Sequence, residues 1–152
     1  MTPNSDYRSL SWHCAAVHQS KMELIMSSAS FKGVVFTQNL GRDLTLDNNV
    51  TDLIGSGSHW HDRPPQIWKS GESFNASSYA TTGGLTMIVG YVADDGTTIT
   101  INSIITYMTE EENYIQVYLG GPSGSNIGYE ASIDPHNENG ISGTVNLYQL
   151  NT

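Results

Sequence analysis

The stretch Leu85-Thr-Met-Ile-Val-Gly-Tyr-Val-Ala93, followed by Asp94-Asp-Gly96 and Thr97-Thr-Ile-Thr-Ile101, decides the fold class. Residues 85–93 are apolar at both odd and even positions, which suits a strand with neighbours on either side and cover on both faces. Asp94-Asp-Gly96 is a hairpin signal, because glycine takes the positive φ that tight turns require. Beyond it the apolar period is two, with Ile99 and Ile101 inward. That strand is expected to run from Thr97 to Met108, with a bulge near Ser103 where the phase slips. The whole reads as the central hairpin of an antiparallel sheet.

The same period extends outward in both directions. Phe31–Thr37 reads as a strand, Asn39-Leu-Gly41 as a turn, and Asp43–Asp47 as a strand with Leu44 and Leu46 on one face. Residues 51–65 (TDLIGSGSHWHDRPP) are rich in Gly, Ser and Pro and read as a long loop. Gln66–Lys69 and Glu72–Tyr79 are short strands, and Thr81-Thr-Gly-Gly84 is a turn. Past the hairpin, strands are expected at Asn113–Leu119, Ile127–Ile133 and Ser142–Leu150, separated by Gly120–Asn126 and Asp134–Gly140. Nine or ten strands at this spacing predict an all-β domain, a two-sheet antiparallel β-sandwich over residues 31–152. Residues 1–30 differ. Leu10, Cys14, Val17, Leu24 and Ile25 recur at helical spacing, so an N-terminal helical or irregular arm is expected there.

Composition excludes several classes of function. The 152 residues carry a net charge of −9, and residues 70–152 hold nine acids and no Lys or Arg. A stretch of that length without a cation offers no phosphate-tracking surface, which argues against nucleic acid. It equally lacks the clustered Lys and Arg that draw a protein to anionic lipid. A single cysteine, Cys14, excludes an internal disulfide and makes an intermolecular disulfide the candidate pairing. Neither a signal peptide nor a transmembrane segment is recognisable, so cytoplasmic synthesis is expected, with storage in inclusions or release without a signal.

The chemistry-bearing residues point to binding and not to catalysis. No nucleophile elbow, Walker motif or dinucleotide fingerprint is present. His59-Trp60-His61-Asp62 is the most conspicuous cluster. In an extended chain His59 and His61 share a side, but two imidazoles are short of the three ligands of a catalytic metal, with Asp62 and His136 the available additions. No cofactor or metal is expected. Eight Tyr and three Trp against three Phe favour wet binding faces, where a ring needs an apolar body and a polar edge. Trp60, Trp68, Tyr79 and Tyr129 lie in or beside loops, and with His59 and His61 they form the candidate ligand- or lipid-binding set.

From about Phe31 onward the chain resembles the aegerolysins, including the insecticidal crystal proteins of aegerolysin type. The likeness rests on VVFTQNLGRDLTL (34–46), Gly57–Trp60, Pro64-Pro-Gln-Ile67, Ser70-Gly-Glu-Ser-Phe74, Ala76–Tyr79 and Gly83–Tyr91. It ends with YLGGPSGSNIGY (118–129), which is similar to the family's Pro–x–x–Gly–Ser–Asn loop closing in Tyr. The family's Thr-Gly-Thr-Glu-Gly run is only Thr81-Thr-Gly-Gly-Leu85 here, without the glutamate, and residues 1–30 have no counterpart. The resemblance implies a β-sandwich that binds a membrane lipid head group and acts with a larger pore-forming partner protein. Function is therefore expected to be non-enzymatic membrane-lipid binding, as the recognising component of a cytolytic pair. The alternative is a self-assembling structural or crystal-forming homo-oligomer whose arm and Cys14 join protomers; a sugar-binding lectin is a third reading.

Overall fold

The computed structural model describes residues 29–106, 111–136 and 140–150. Its strands are β1 (Ser30–Asn39), β2 (Leu44–Leu46), β3 (Asp52–Ser56), β4 (His59–Asp62), β5 (Ile67–Trp68), β6 (Ser73–Tyr79), β7 (Thr82–Ala93), β8 (Thr98–Ile105), β9 (Tyr114–Gly120), β10 (Ile127–Ile133) and β11 (Ile141–Gln149). A 3-10 turn at Gly124–Asn126 precedes β10. One sheet has the order β10-β11-β1-β6-β4. The other runs β5-β2-β7-β8-β9, with β3 also paired to β7. The two sheets pack face to face as the expected β-sandwich. One pairing departs from antiparallel, since β1 and β11 run side by side in parallel. Parallel neighbours need a long crossover, and here the intervening body of the domain supplies it. The expected arm at residues 1–30, including Cys14, lies outside the described residues except for Ala29 and Ser30.

Strand β7 is interior, as its apolar sequence requires. It pairs with β8 along one side and with β2 and then β3 along the other. Residues 47–51 leave the ladder between β2 and β3 and fold over the outward side of Gly90. A Cβ there would stand 2.8 Å from Val50 Cγ1, so only glycine leaves room. Thr51 Oγ1 accepts from Gly90 N at 3.0 Å and donates to Gly90 O at 3.3 Å, replacing the missing ladder partner.

The core comes from alternating residues of both sheets. Val34, Phe36, Ala76, Val145 and Leu147 face Leu44, Leu85, Met87, Val89, Tyr91, Ile99 and Ile101, all buried. At one end lies an aromatic nucleus. Phe36 stacks on Phe74 at 4.9 Å, and Trp68 meets Phe74 edge-on at 4.9 Å and Tyr91 at 5.1 Å. Buried Gln38 ties this end together. Its amide donates to Arg42 O at 2.8 Å and Trp68 O at 3.0 Å and accepts from Leu40 N, so no side-chain polar group is stranded.

Three sequence expectations are corrected. Residues 51–65 hold two strands, β3 and β4, split by Gly57 at φ 62°; each is an edge strand, and edges carry polar, solvent-facing sequence that reads as loop. Residues 82–84 belong to β7 instead of a free turn, since the chain crosses between sheets at Ala80-Thr81. Finally, β8 has no bulge at Ser103, because its register with β7 is unbroken from Thr98 to Ile105. Ser103 points into the core with Ile99, Ile101 and Ile105, fully buried, and its hydroxyl has no partner. Register shifts lie elsewhere, in β1 between Phe31 and Val34, in β3 between Ile54 and Ser56 and in β4 between Trp60 and Asp62.

Candidate functional site

Edge strand β4 carries the histidine cluster and pairs only with β6. His59 stands opposite Tyr79 and Trp60 opposite Ser78, and the register then shifts so that Asp62 faces Ser77. Directly opposed residues share a face, so His59, Tyr79, Asp62 and Ser77 lie on the outward side while Trp60 turns inward. His61 is the extra residue of the shift. The regular extended geometry that would set His59 and His61 on one side is therefore broken. Among the described residues no three His, Cys, Asp or Glu side chains gather as metal ligands. His136 pairs instead with Glu112, at 3.7 Å and well exposed.

The outward groups are held by specific contacts. The His59 and Tyr79 rings lie 5.4 Å apart, and Tyr79 is 43% exposed. Asp62 accepts a hydrogen bond from Ser77 Oγ at 2.9 Å. Trp60 is half-buried against the core, and the Arg63 guanidinium sits 5.6 Å from its ring centre, within cation–π range. Arg63 also donates to Asn48 Oδ1 at 3.1 Å. The following prolines are anchored from below, where the Tyr91 hydroxyl donates to Pro65 O at 2.6 Å. Burial pushes the Tyr91 phenol well above its ordinary value, which keeps that donor protonated.

Of the expected binding set, the structure brings the His59 and Tyr79 rings together, while Trp60 turns inward on the same strand and His61 is the extra residue of the register shift. Trp68 is corrected. It is 1% exposed, inside the aromatic nucleus, and its Nε1–H donates to Glu72 O at 3.0 Å, so it cannot present a ring to ligand or lipid. The sequence places it in the short strand Gln66–Lys69 beside a loop, where nothing local fixes its facing, and pairing of β5 with β2 turns it inward. Tyr129 is displayed, 45% exposed, but on β10, the opposite edge of the same sheet. Four strand spacings, about 19 Å, separate it from β4. Cys14 lies outside the described residues. Sequence reasoning missed Arg63, whose signal was its place beside the cluster in HWHDR.

A second charged knot occupies the β7–β8 turn. Asp95 accepts from Ser123 Oγ at 2.5 Å and from Thr97 N at 2.9 Å, and Arg42 Nη1 lies 3.1 Å from its carboxylate. The Ser123 hydrogen bond, then those from Thr97, hold its carboxyl well below the usual carboxylate range. Every member is matched within the protein, so this knot reads as a clamp between the turn, the 120–126 loop and the β1–β2 connection. No protein-family model matches the chain, and no curated protein matches it.

Proposed function

We propose that this chain is a non-enzymatic, aegerolysin-like module that binds a zwitterionic membrane-lipid head group at the β4–β6 edge. The observation that carries the reading is the outward His59–Tyr79 ring pair, 5.4 Å apart, with the Asp62 carboxylate on the same face and Arg63 next to it in the chain. A phosphate joined to an ammonium calls for that combination: a guanidinium for the phosphate, and a carboxylate with an aromatic face for the cation. Paired strands hold His59, Asp62 and Tyr79, which lowers the ordering cost of binding. The charge distribution supports the same reading, since a chain without cations after Lys69 gains little from anionic bilayers and relies on head-group chemistry. The aegerolysin resemblance adds a larger pore-forming protein as partner.

The test is sedimentation with vesicles of phosphatidylcholine, sphingomyelin or phosphatidylethanolamine, each with and without phosphatidylserine. Binding to at least one zwitterionic vesicle is expected, with no gain from phosphatidylserine. Tyr79→Ala and Arg63→Ala should each weaken it about tenfold, or about 1.4 kcal/mol. Failure of every zwitterionic vesicle to sediment the protein, or variants that bind as well as the parent, would overturn the reading.

A further inference from the structure

The outward face of the five-stranded sheet carries a groove of about 540 Å³ centred on β1. Register lays Ser132, Thr144, Val35 and Asn75 in one row across β10, β11, β1 and β6. The row spans three strand spacings, about 14 Å. Beside it the floor dips, where β1 shifts register and Gly33 stands opposite Ser142. Gly33 has to be glycine, because a Cβ there would stand 2.6 Å from Asn75 Oδ1. Bulges favour sheet edges and binding sites, and β1 is an interior strand. Lys32, the extra residue of the shift, lies against Gly140 at one end of the groove. The lining has hydrogen-bonding capacity to spare. Lys32, Asn75, Ser132, Ser142 and Thr144 are exposed, and none makes a side-chain hydrogen bond or ion pair within the protein. One row further, by contrast, Thr37 and Ser73 are spent on each other at 2.7 Å.

We propose that this groove binds a neutral oligosaccharide. Its two charges, Lys32 and Asp134, sum to zero, so neither a phosphate nor a polycation is drawn to it. None of its lining residues is aromatic, and its one well-exposed apolar side chain is Val35, 39% exposed. A fatty or aromatic ligand therefore finds too little surface to bury. A sugar presents dense hydroxyls, each donor and acceptor, around small C–H patches. Ser132, Ser142, Thr144 and the Asn75 amide answer the hydroxyls, and Val35 in the middle of the row answers a C–H face. The groove has the volume of a small-molecule site, within about 300–1,000 Å³. Paired strands hold the row, so little order is lost on binding. His59 and Asp62, the proposed lipid contacts, stand on β4, two strand spacings or about 10 Å from β1, so the two sites are separate and neither needs the other.

The test titrates the isotope-labelled full chain with a panel of neutral oligosaccharides of glucose, galactose, mannose and N-acetylglucosamine, followed through the backbone amide resonances. At least one sugar should shift Val35, Asn75, Ser132 and Thr144 saturably and leave Thr86, Ile88 and Ile104 on the other sheet unmoved. Thr144→Tyr, which fills the groove from an exposed position, should weaken that binding about tenfold and leave sedimentation with zwitterionic vesicles unchanged. Asn75→Ala, which removes a hydrogen-bonding amide, should weaken it about threefold. Phosphatidylglycerol vesicles carrying a neutral glycosylceramide identify the source of the sugar. Sedimentation with them, competed by the free sugar, assigns a membrane glycolipid, and binding of the free sugar alone assigns a soluble glycan. No saturable shift with any member of the panel would overturn the proposal. So would shifts confined to His59 and Tyr79, or a Thr144→Tyr variant that binds sugar as tightly as the parent.

Discussion

Replacing Trp68 by alanine should destabilise the domain by about 4 kcal/mol. Truncating a buried Trp costs about 3–5 kcal/mol through lost burial and the cavity left behind. Trp68 belongs in that range because it is 1% exposed and touches the rings of Phe74 and Tyr91 at about 5 Å between centres. Its hydrogen bond to Glu72 O adds little, since a net bond is worth about 1 kcal/mol and the acceptor belongs to an exposed turn residue that water can reach. Trp68→Phe keeps most ring contacts and should cost only about 1–2 kcal/mol. With a urea m-value of about 2 kcal/mol/M, the unfolding midpoint should fall by about 2 M for alanine and by less than 1 M for phenylalanine. Far-ultraviolet circular dichroism in urea measures both. A midpoint for Trp68→Ala within about 0.3 M of the parent would mean that the ring is not in the core and would refute the packing argument.

Ser103→Ala should stabilise the protein by about 1 kcal/mol, because it removes a buried hydroxyl without a partner; a lower urea midpoint would show that the hydroxyl is satisfied. The Asp95 carboxyl, held low chiefly by Ser123, contributes stability that is present above the ordinary carboxylate value and lost as pH falls through its own lower one. Titration followed by carbon-13 NMR should find Asp95 still ionised below the range in which ordinary carboxylates protonate. Ser123→Ala should move it up toward them, and an unmoved titration would remove the clamp.

Much of the fold was legible because sheet sequences carry their own period. The apolar run 85–93, the Asp94-Asp-Gly96 turn and the alternation of Leu44 and Leu46 each state a local preference that the sandwich satisfies. Ser103 shows where such reading fails. A polar residue in an inward position imitates a phase slip, and only the unbroken pairing with β7 reveals that the strand carries on and buries the hydroxyl. The candidate site was half legible. HWHD announced itself by residue type, but the register shift that separates His61 from His59 and sets Asp62 beside Ser77 depends on the partner strand β6.

The sequence by itself determined the class, an acidic all-β sandwich, the interior place of residues 85–93, and a chain whose second half carries no cation. Those are properties of period, turn chemistry and charge, which act over a few residues or sum over many. Tertiary structure alone decided which aromatic rings are displayed. Trp68 and Tyr79 look alike in sequence, each a ring near a turn, yet one is sealed between two sheets and the other stands on an outward face, next to the edge strand β4. The difference arises because a two-residue strand takes its facing from the neighbour it pairs with, and which strand becomes that neighbour is settled by contacts far apart in the chain.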